Sequence, residues 1–343
     1  MKTSSRRDFL RHGAILSAGA LLGFPALHSA RAADAKTLIL YNGQHAKTTA
    51  ALVAAFTQAT GIQVDIRKGS STQLANQIIE EGSRSPADVF FAEESPPVAA
   101  LAEKNLLAPL PDATLGQILP RYTARDHTWT GITARSRVTV YNQDMVQAAE
   151  LPASVMDMAT AAWKDRVGFV PTSGAFQEQI IAIKLLRGRD AALGWLKGLK
   201  QYGRIYNGNM AAMRAVERGE IATALVNNYY WYIVANEVGA DKMKSALHYA
   251  GPQDPGGLIT CSAAGVLKTA AHADAAQQLL AFMVSQAGQD AMVDTVAEYP
   301  LRPGVKTPFA LKPFDQLHPP AVSPADLGDA ADALTLRREA GLA

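Results

Sequence analysis

Cysteine is nearly absent from the sequence, because Cys261 is the only one in a chain of 343 residues. A single cysteine excludes internal disulfide bonds and the thiolate clusters that hold structural metals. Cys261 lies in the apolar run LITCSAAGVL, a setting typical of a buried thiol that packs as a small hydrophobic side chain. The cysteine content therefore gives no support to a thiol-based function.

A large excess of charge of either sign is also lacking, since the whole chain has a formal net charge of +2. Residues 1–32 hold five Lys or Arg and one Asp, which is +4, so the rest of the chain carries −2. A balance so close to zero does not indicate a nucleic acid or an anionic membrane as a partner. Long hydrophobic runs are missing as well, because no stretch after residue 32 reaches the ~18 apolar residues of a membrane span. We therefore expect a protein that is soluble once exported.

The N terminus, residues 1–32, has the pattern of a cleaved secretory signal peptide. A basic start precedes an apolar stretch over residues 13–27 and a small-residue cleavage pattern at residues 30–32. The run SRRDFL, residues 5–10, resembles a twin-arginine signal, which exports proteins that have already folded. The signal contains no cysteine, which excludes lipid attachment at its cleavage site. We predict a mature chain that begins at Ala33 in the periplasm.

The mature chain, 343 residues less 32, has the length of two domains at about 150 residues each. Short apolar runs typical of strands alternate along it with patterns typical of helices. The predicted strands are TLILYN, IQVDI, DVFFAE, RVTVYN, RVGFVP and IATALV. This alternation predicts an α/β fold with mostly parallel sheets.

Polar residues follow four of these predicted strands, at the point where each strand ends. They are His45, then Glu93 and Glu94, then Ser173, Gly174 and Ala175, and finally Asn227, Asn228, Tyr229 and Tyr230. In open α/β sheets, ligands bind in the crevice beyond the carboxyl ends of the strands. Each residue alone has an ordinary interpretation, as a turn residue, a helix cap or a packed aromatic ring. Their recurrence at four equivalent junctions favours one shared site.

The residue types at these junctions indicate a hard trivalent cation. Phenols have an ordinary pKa of about 10, so two phenolates need strong compensation at neutral pH. Imidazole with three anionic oxygens suits Fe³⁺, whereas calcium or magnesium prefers carboxylates and carbonyls, and structural zinc prefers Cys and His. An octahedral ion still needs two donors, and the TSGA turn at a helix start is suited to hold an anion such as phosphate there.

At these residues the sequence resembles the periplasmic ferric-ion-binding proteins of ABC iron importers. The segments that carry the resemblance span the mature chain: YNGQH, EEGSRSPADVFF, RSRVTVY, VPTSGAFQEQI, GEIATALVNNYYW and AEYPLRP. The resemblance implies a two-lobed periplasmic binding protein fold, similar to type II, with hinge strands and a cleft between the lobes that closes over one Fe³⁺. It places the N-terminal lobe at 33–136, completed by about 262–312, and the C-terminal lobe at 137–261, completed by about 313–343.

The resemblance also implies the ligands and the partners. His45, Glu93, Tyr229 and Tyr230 would bind the metal, and a synergistic anion, phosphate or carbonate, would lie against Ser173, Gly174, Ala175, Asn209 and Asn227. Glu94 stands beside that anion, where relatives often carry glutamine, so the identity and the charge of the anion stay open. The two neighbouring asparagines are expected to cap the helix that the tyrosines begin. The expected partner is an inner-membrane ABC permease, and the protein is expected to be a monomer that binds no nucleic acid.

Two other functions are compatible with the fold class alone. A related binding protein could take another solute, such as an oxyanion, a polyamine or a sugar; a polyamine site would need several carboxylates, and a sugar site several exposed aromatic rings. An enzyme could use Ser173 as a nucleophile, but TSGAF lacks the G-x-S-x-G turn. Neither function accounts for a histidine with paired tyrosines, so we expect a binding protein and not an enzyme.

Overall fold

The computed structural model describes residues 37–342 of the protein, and the predicted signal peptide and its cleavage site lie outside them. The strands of this range are β1 (Thr37–Asn42), β2 (Gln63–Lys68), β3 (Val89–Ala92), β4 (Thr130–Asn142), β5 (Val167–Phe169), β6 (Arg204–Ile205), β7 (Thr223–Asn227), β8 (Ser245–His248), β9 (Ile259–Val266) and β10 (Tyr299–Pro300). The helices are α1 (Ala46–Thr60), α2 (Ser71–Glu81), α3 (Ser95–Glu103), α4 (Asp112–Leu115), α5 (Gly174–Arg187), α6 (Arg189–Tyr202), α7 (Asn209–Glu217), α8 (Tyr229–Val238), α9 (Ala273–Met283), α10 (Gln286–Val293) and α11 (Ala331–Ala340). Strands and helices alternate as the sequence predicts, and the α/β class is confirmed.

The strands form one sheet in the order β2-β1-β3-β9-β4-β7-β5-β6, with β8 and β10 also paired to β4. Neighbours are parallel at both ends of this order, between β1, β2 and β3 and between β5, β6 and β7. The central strands β4 and β9 are antiparallel to every strand with which they pair. The prediction of mostly parallel sheets is therefore wrong at the centre. Both strands are buried along their full length, so the alternation of polar and apolar residues in the β4 segment ITARSRVTV does not separate a core face from a solvent-exposed face.

Strand β4 is shared by the two lobes of the molecule. Its first half, up to Ser136, pairs with β9, and its second half, from Arg137, pairs with β7 and β8. We call the part of the fold around β1, β2, β3, β9 and β10 the first lobe, and the part around β5 to β8 the second lobe. Their residue limits remain a prediction, but the passage of one continuous strand through both parts is what joins them.

Each lobe has its own apolar core between the sheet and its helices. In the first lobe, Leu52 and Phe56 of α1 pack with Leu279 of α9 beneath the sheet. In the second lobe, Phe176 of α5 stacks on Trp195 of α6 with their rings 5.2 Å apart. Burial of a side chain of this size stabilises the fold by about 1.5–3 kcal/mol. These cores fix the helices whose first residues lie at the cleft.

Five of the helices that begin shortly after a strand carry predicted site residues at their start, and Asn209 is the first residue of one of them, α7. His45 precedes α1, Glu94 precedes α3, Ser173 precedes α5 and Asn228 precedes α8. The burial predicted for Cys261 is confirmed, since its thiol lies in β9 with no exposed surface. Of the helices within residues 37–342, none has the length and apolarity to cross a bilayer.

Candidate metal centre

The four residues predicted as metal ligands lie together where the two lobes meet. The Tyr229 hydroxyl donates a hydrogen bond to Oε1 of Glu93 at 2.8 Å. Nε2 of His45 lies 3.9 Å from the same oxygen, and the imidazole packs edge-on against the Tyr229 ring with centroids 5.0 Å apart. The rings of Tyr229 and Tyr230 are 4.3 Å apart. An imidazole, a carboxylate and two phenols thus share one small volume.

The first turn of α8 positions the two phenols. Tyr229 and Tyr230 are the first two residues of this helix, directly after β7. Asn228 stands at the N-cap position but makes no capping hydrogen bond from its side chain. Its amide instead accepts from the Ser136 backbone N–H at 3.0 Å and donates to the Ala297 carbonyl at 2.9 Å. The expectation that the asparagines cap the helix is wrong for Asn228, because its side chain ties the start of α8 to β4 and to the segment before β10.

The electrostatic surroundings hold both phenols in their protonated form. Burial raises the pKa of Tyr229 well above its ordinary value of 10.0, and the carboxylate of Glu93 raises it further. Burial and Glu93 also raise the pKa of Tyr230, against the opposing effect of a hydrogen bond that Asn209 donates to its hydroxyl. A cation of high charge is therefore required to form two phenolates here near neutral pH.

A cavity of about 180 Å³ opens beside these residues at the start of α5. All six residues predicted to surround an anion line it: Ser173, Gly174, Ala175, Asn209, Asn227 and Glu94. Nδ2 of Asn209 donates to the Ser173 hydroxyl at 2.9 Å and to the Tyr230 hydroxyl at 3.2 Å. Asn209 therefore connects the start of α5 with the phenol pair. Oδ1 of Asn227 accepts from Arg137 at 3.1 Å, which fixes that amide on the floor of the cleft.

Glu94 projects its carboxylate toward the first residue of α5. A Cβ atom at position 174 would lie 2.4 Å from Oε1 of Glu94, so a residue larger than glycine there would displace this carboxylate. Oε2 of Glu94 accepts from the Ser71 hydroxyl at 3.3 Å. Burial, together with the neighbouring carboxylates Glu93 and Glu178, raises the pKa of Glu94 to about 8, against the opposing charge of Arg135.

Arg135 is a member of the site that the sequence analysis missed. Its side chain is 2% exposed, donates to the backbone carbonyl of Glu93, and places Nε 3.9 Å from Oε1 of Glu298. Burial lowers the pKa of Arg135, but Glu298 and the other acidic groups outweigh burial and raise it. Its Nε and Nη1 atoms have no hydrogen-bond partner among the described residues. A permanent positive charge therefore lies beneath the predicted ligands.

Two buried carboxylates, Glu178 and Glu298, were missed as well. Glu178 is 1% exposed, and burial raises its pKa to about 7, against the opposing effects of Arg135 and of a hydrogen bond from Thr260. Oε1 of Glu298 lies 3.7 Å from Nε2 of His45, and Oε2 accepts from Thr133 at 2.5 Å. A sequence signal existed for Arg135, since a charge in the middle of a buried strand needs a partner. The two glutamates gave none, because charged residues at helix turns and loop ends are common.

The donor set favours a hard metal ion that accepts phenolate. Among residues 37–342, His, Cys, Asp and Glu alone form no group of three or more that could hold a metal ion. The four predicted ligands become a coordination set only when the two tyrosines are counted. Nitrogen from His45, oxygen from Glu93 and two phenol oxygens are the donors that suit ferric iron.

Comparison with known proteins identifies relatives over the whole length of the chain. Residues 51–314 match the model of a family described as bacterial extracellular solute-binding proteins. The chain is 44% identical to the major ferric iron-binding protein of Neisseria meningitidis serogroup A, with all of both chains covered. It is 36% identical to the Fe(3+)-binding periplasmic protein of Serratia marcescens, with 96% of each chain covered. The structure of iron-bound HitA from Pseudomonas aeruginosa superposes with a TM-score of 0.87 at 52% identity, over 90% of this chain and all of that one.

Proposed function

The chain belongs to the family of bacterial extracellular solute-binding proteins, and from that premise we propose that it captures ferric iron in the periplasm and delivers it to an ABC importer. The observation that carries the proposal is the contact of Tyr229 with Glu93, beside Tyr230 and His45, at the junction of the lobes. The relatives named for ferric iron binding cover 96–100% of the chain, which supports the same ion here.

The proposed ligands are His45, Glu93, Tyr229 and Tyr230. The carboxylate and two phenolates would cancel the three positive charges of Fe³⁺, and the imidazole would add a neutral donor. Tyr229 holds its proton in a hydrogen bond to Glu93, so binding of the ion replaces that proton between the two oxygens. Metal binding thus releases protons and becomes weaker as the pH falls.

A negatively charged group at the start of α5 would complete the coordination. The cavity lined by Ser173, Gly174 and Ala175 is next to the phenols, and a helix N-terminus favours negative charge. Phosphate and carbonate are the free anions that the sequence predicts there. Asn209, Asn227 and Glu94 line the same cavity and would contact the anion bound in it.

Capture and delivery, not catalysis, is the role that we propose. The relatives are named as binding proteins, and the partner proposed from the family is an inner-membrane ABC permease that receives the ion from a monomer.

Residues 1–32, outside the described range, would export the chain to the periplasm and be removed. If Arg6 and Arg7 form a twin-arginine signal, replacement of both by lysine makes precursor accumulate inside the cell; unchanged export would assign the signal to the general secretory route.

A titration of the metal-free protein with Fe³⁺ tests the proposed function. Phenolate coordinated to Fe³⁺ absorbs visible light, so we expect a coloured band that saturates at one iron per chain. Tyr229→Phe should abolish most of the band. Tyr232→Phe is the matched control, since the Tyr232 hydroxyl donates to the Ala310 carbonyl away from the cavity, and it should leave the band intact. Absence of a band in the wild type would contradict ferric capture.

A further inference from the structure

Gln44, the residue before His45, is a buried polar side chain to which the proposed coordination gives no role. It is 4% exposed and belongs to the YNGQH segment, in the turn between β1 and α1. Burial of an amide is unfavourable unless its N–H and C=O groups are paired. The partners of the Gln44 amide therefore indicate what this side chain does.

Both ends of the Gln44 amide are paired, and one of them holds the proposed ligand. Oε1 accepts from the backbone N–H of His45 at 2.8 Å, and Nε2 donates to Oε2 of Glu298 at 3.4 Å. Glu298 has no exposed surface and lies directly before β10. A carboxyl oxygen accepts a hydrogen bond in either protonation state, so this contact orients the amide whatever the charge of Glu298. The side chain of Gln44 thus connects the backbone of His45 to a second segment of the first lobe.

The backbone of Gln44 is fixed in turn by Asn42, the last residue of β1. Nδ2 of Asn42 donates to the Gln44 carbonyl at 2.9 Å, and Oδ1 accepts from the Gln44 backbone N–H at 3.2 Å. The same Oδ1 accepts from the Thr49 hydroxyl in α1 at 2.8 Å. Asn42 is 3% exposed and Thr49 is fully buried, so these bonds are shielded from water. The turn that carries Gln44 is therefore held on both sides of this residue.

The backbone position of His45 directs its imidazole into the site. His45 has φ −48° and ψ 126°, outside the helical region, and its carbonyl accepts from the Thr49 backbone N–H at 3.0 Å at the start of α1. Its Nε2 lies 3.9 Å from Oε1 of Glu93 and has no hydrogen-bond partner among the described residues. An imidazole nitrogen that is not engaged in a hydrogen bond can offer its lone pair to a metal ion.

We propose that Gln44 positions His45 for iron: its amide holds the His45 backbone so that Nε2 faces Glu93 and the ring packs against Tyr229. The inference rests on the proposed function and adds to it a residue that acts through a ligand without touching the ion. Groups that orient a histidine ligand typically contribute about 10- to 100-fold to metal affinity. Because imidazole is the neutral donor of the proposed set, we expect the lower end of this range.

Gln44→Met tests the role, because methionine has nearly the length and volume of glutamine and lacks the amide. We expect about a tenfold loss of iron affinity. With two phenol protons exchanged for each ion, this loss corresponds to iron release at a pH about 0.5 unit higher, measured by the visible band during an acid titration. Gln58→Met, at an exposed position of α1, is the matched control and should release iron as the wild type does. An unchanged pH of release in Gln44→Met would overturn the proposal.

A double-mutant cycle with His45→Ala shows whether Gln44 acts through His45. Once the imidazole is absent, Gln44→Met should cause no further shift in the pH of release. An equal shift in both backgrounds would overturn the proposal, because Gln44 would then act independently of the ligand. The EPR line shape of high-spin Fe³⁺ reports the symmetry of its ligands, and we expect Gln44→Met to change it toward that of His45→Ala. A merely structural role would lower the stability and leave the line shape of the wild type.

Hydrogen exchange in the metal-free wild type provides a test that needs no variant. We expect the backbone N–H of His45 to exchange much more slowly than the N–H of an exposed loop residue. Exchange at the rate of a free amide would overturn the proposal, even if Gln44→Met does not fold. Absence of a visible band from the iron-treated wild type would instead contradict the proposed function, and the exchange rate would still decide whether Gln44 holds the His45 backbone.

Discussion

Tyr230 places a phenol oxygen at the edge of the cavity, where Asn209 donates to it. Tyr230→Phe keeps the packing of the ring and deletes only this oxygen. We expect the fold to survive, the visible band to fall to a small fraction, and iron to leave at a higher pH than from the wild type. The direction follows from the raised pKa of the phenols: protons compete with iron more strongly as the pH falls, and a site with one phenolate fewer loses that competition earlier. Absorbance during an acid titration measures both effects.

His45 offers a comparison of donor types within the same site. A neutral imidazole contributes no charge, and water can take its place on the ion. His45→Ala should therefore move the pH of iron release less than Tyr230→Phe does. If His45→Ala shifts the pH of iron release more than Tyr230→Phe does, phenolate charge is not what holds the ion.

Glu178 makes the stability of the metal-free protein depend on pH. Burial raises its pKa from 4.5 to about 7, so between these values the folded chain keeps a proton that the unfolded chain has lost. The stabilisation of the folded state by this protonated carboxyl group is complete below pH 4.5 and disappears as the pH rises to about 7. Relative to Glu178→Gln, the wild type should lose up to about 3 kcal/mol of unfolding free energy over this interval. Urea denaturation at a series of pH values measures the difference, and parallel curves for the two proteins would contradict it.

Sequence reasoning found the site residues that stand at strand ends and missed those beneath them. Strand ends in an α/β sheet have a shared location, so Glu93 and Tyr229 could be grouped from their positions along the chain alone. Arg135 and Glu298 come from β4 and from the segment before β10, and their proximity depends on antiparallel pairing that local sequence does not encode. The four proposed ligands were thus predictable, whereas the buried charges that set their pKa values were not.

The side-chain amide of Asn228 holds the start of α8 in position. Asn228 has no exposed surface and connects this helix to Ser136 of β4 and to Ala297. Asn228→Ala leaves a buried N–H and a buried carbonyl without their partners, so we expect a loss of about 2–4 kcal/mol in the free energy of unfolding. The matched control is Asn236→Ala, an exposed position of the same helix, which should change it by less than about 0.5 kcal/mol. Equal effects of the two substitutions in urea denaturation would remove the role given to Asn228.

The elements next to the site were the most accessible to prediction. The pattern TLILYN gives β1 with the predicted limits, and the Ser70 hydroxyl caps α2 by accepting from the Gln73 backbone N–H at 3.3 Å. Pairing direction was not accessible, because β4 is buried on both faces although its polar and apolar residues alternate, so the pattern does not show a solvent-exposed face. For β4, only the tertiary structure decides.

The two lobes together supply the proposed ligands, and this couples iron binding to their separation. His45 and Glu93 follow strands of the first lobe, whereas Tyr229 and Tyr230 follow β7 of the second. An ion that needs all four binds the closed arrangement and shifts the population toward it. We expect small-angle scattering to give a larger radius of gyration for the metal-free protein than for the iron-loaded one. Identical profiles would indicate a site that is closed before iron arrives.

The late position of β9 in the sequence also determines when the first lobe can complete its sheet during synthesis. Ala92 of β3 pairs with Ala263 of β9, so the first lobe lacks an inner strand until about three quarters of the polypeptide has left the ribosome. Contacts between residues so distant along the chain slow folding. A nascent chain of this topology therefore cannot finish its first lobe during most of its synthesis. The precursor spends that interval incomplete, and any chaperone or translocase that handles it meets the chain before β9 has closed the sheet.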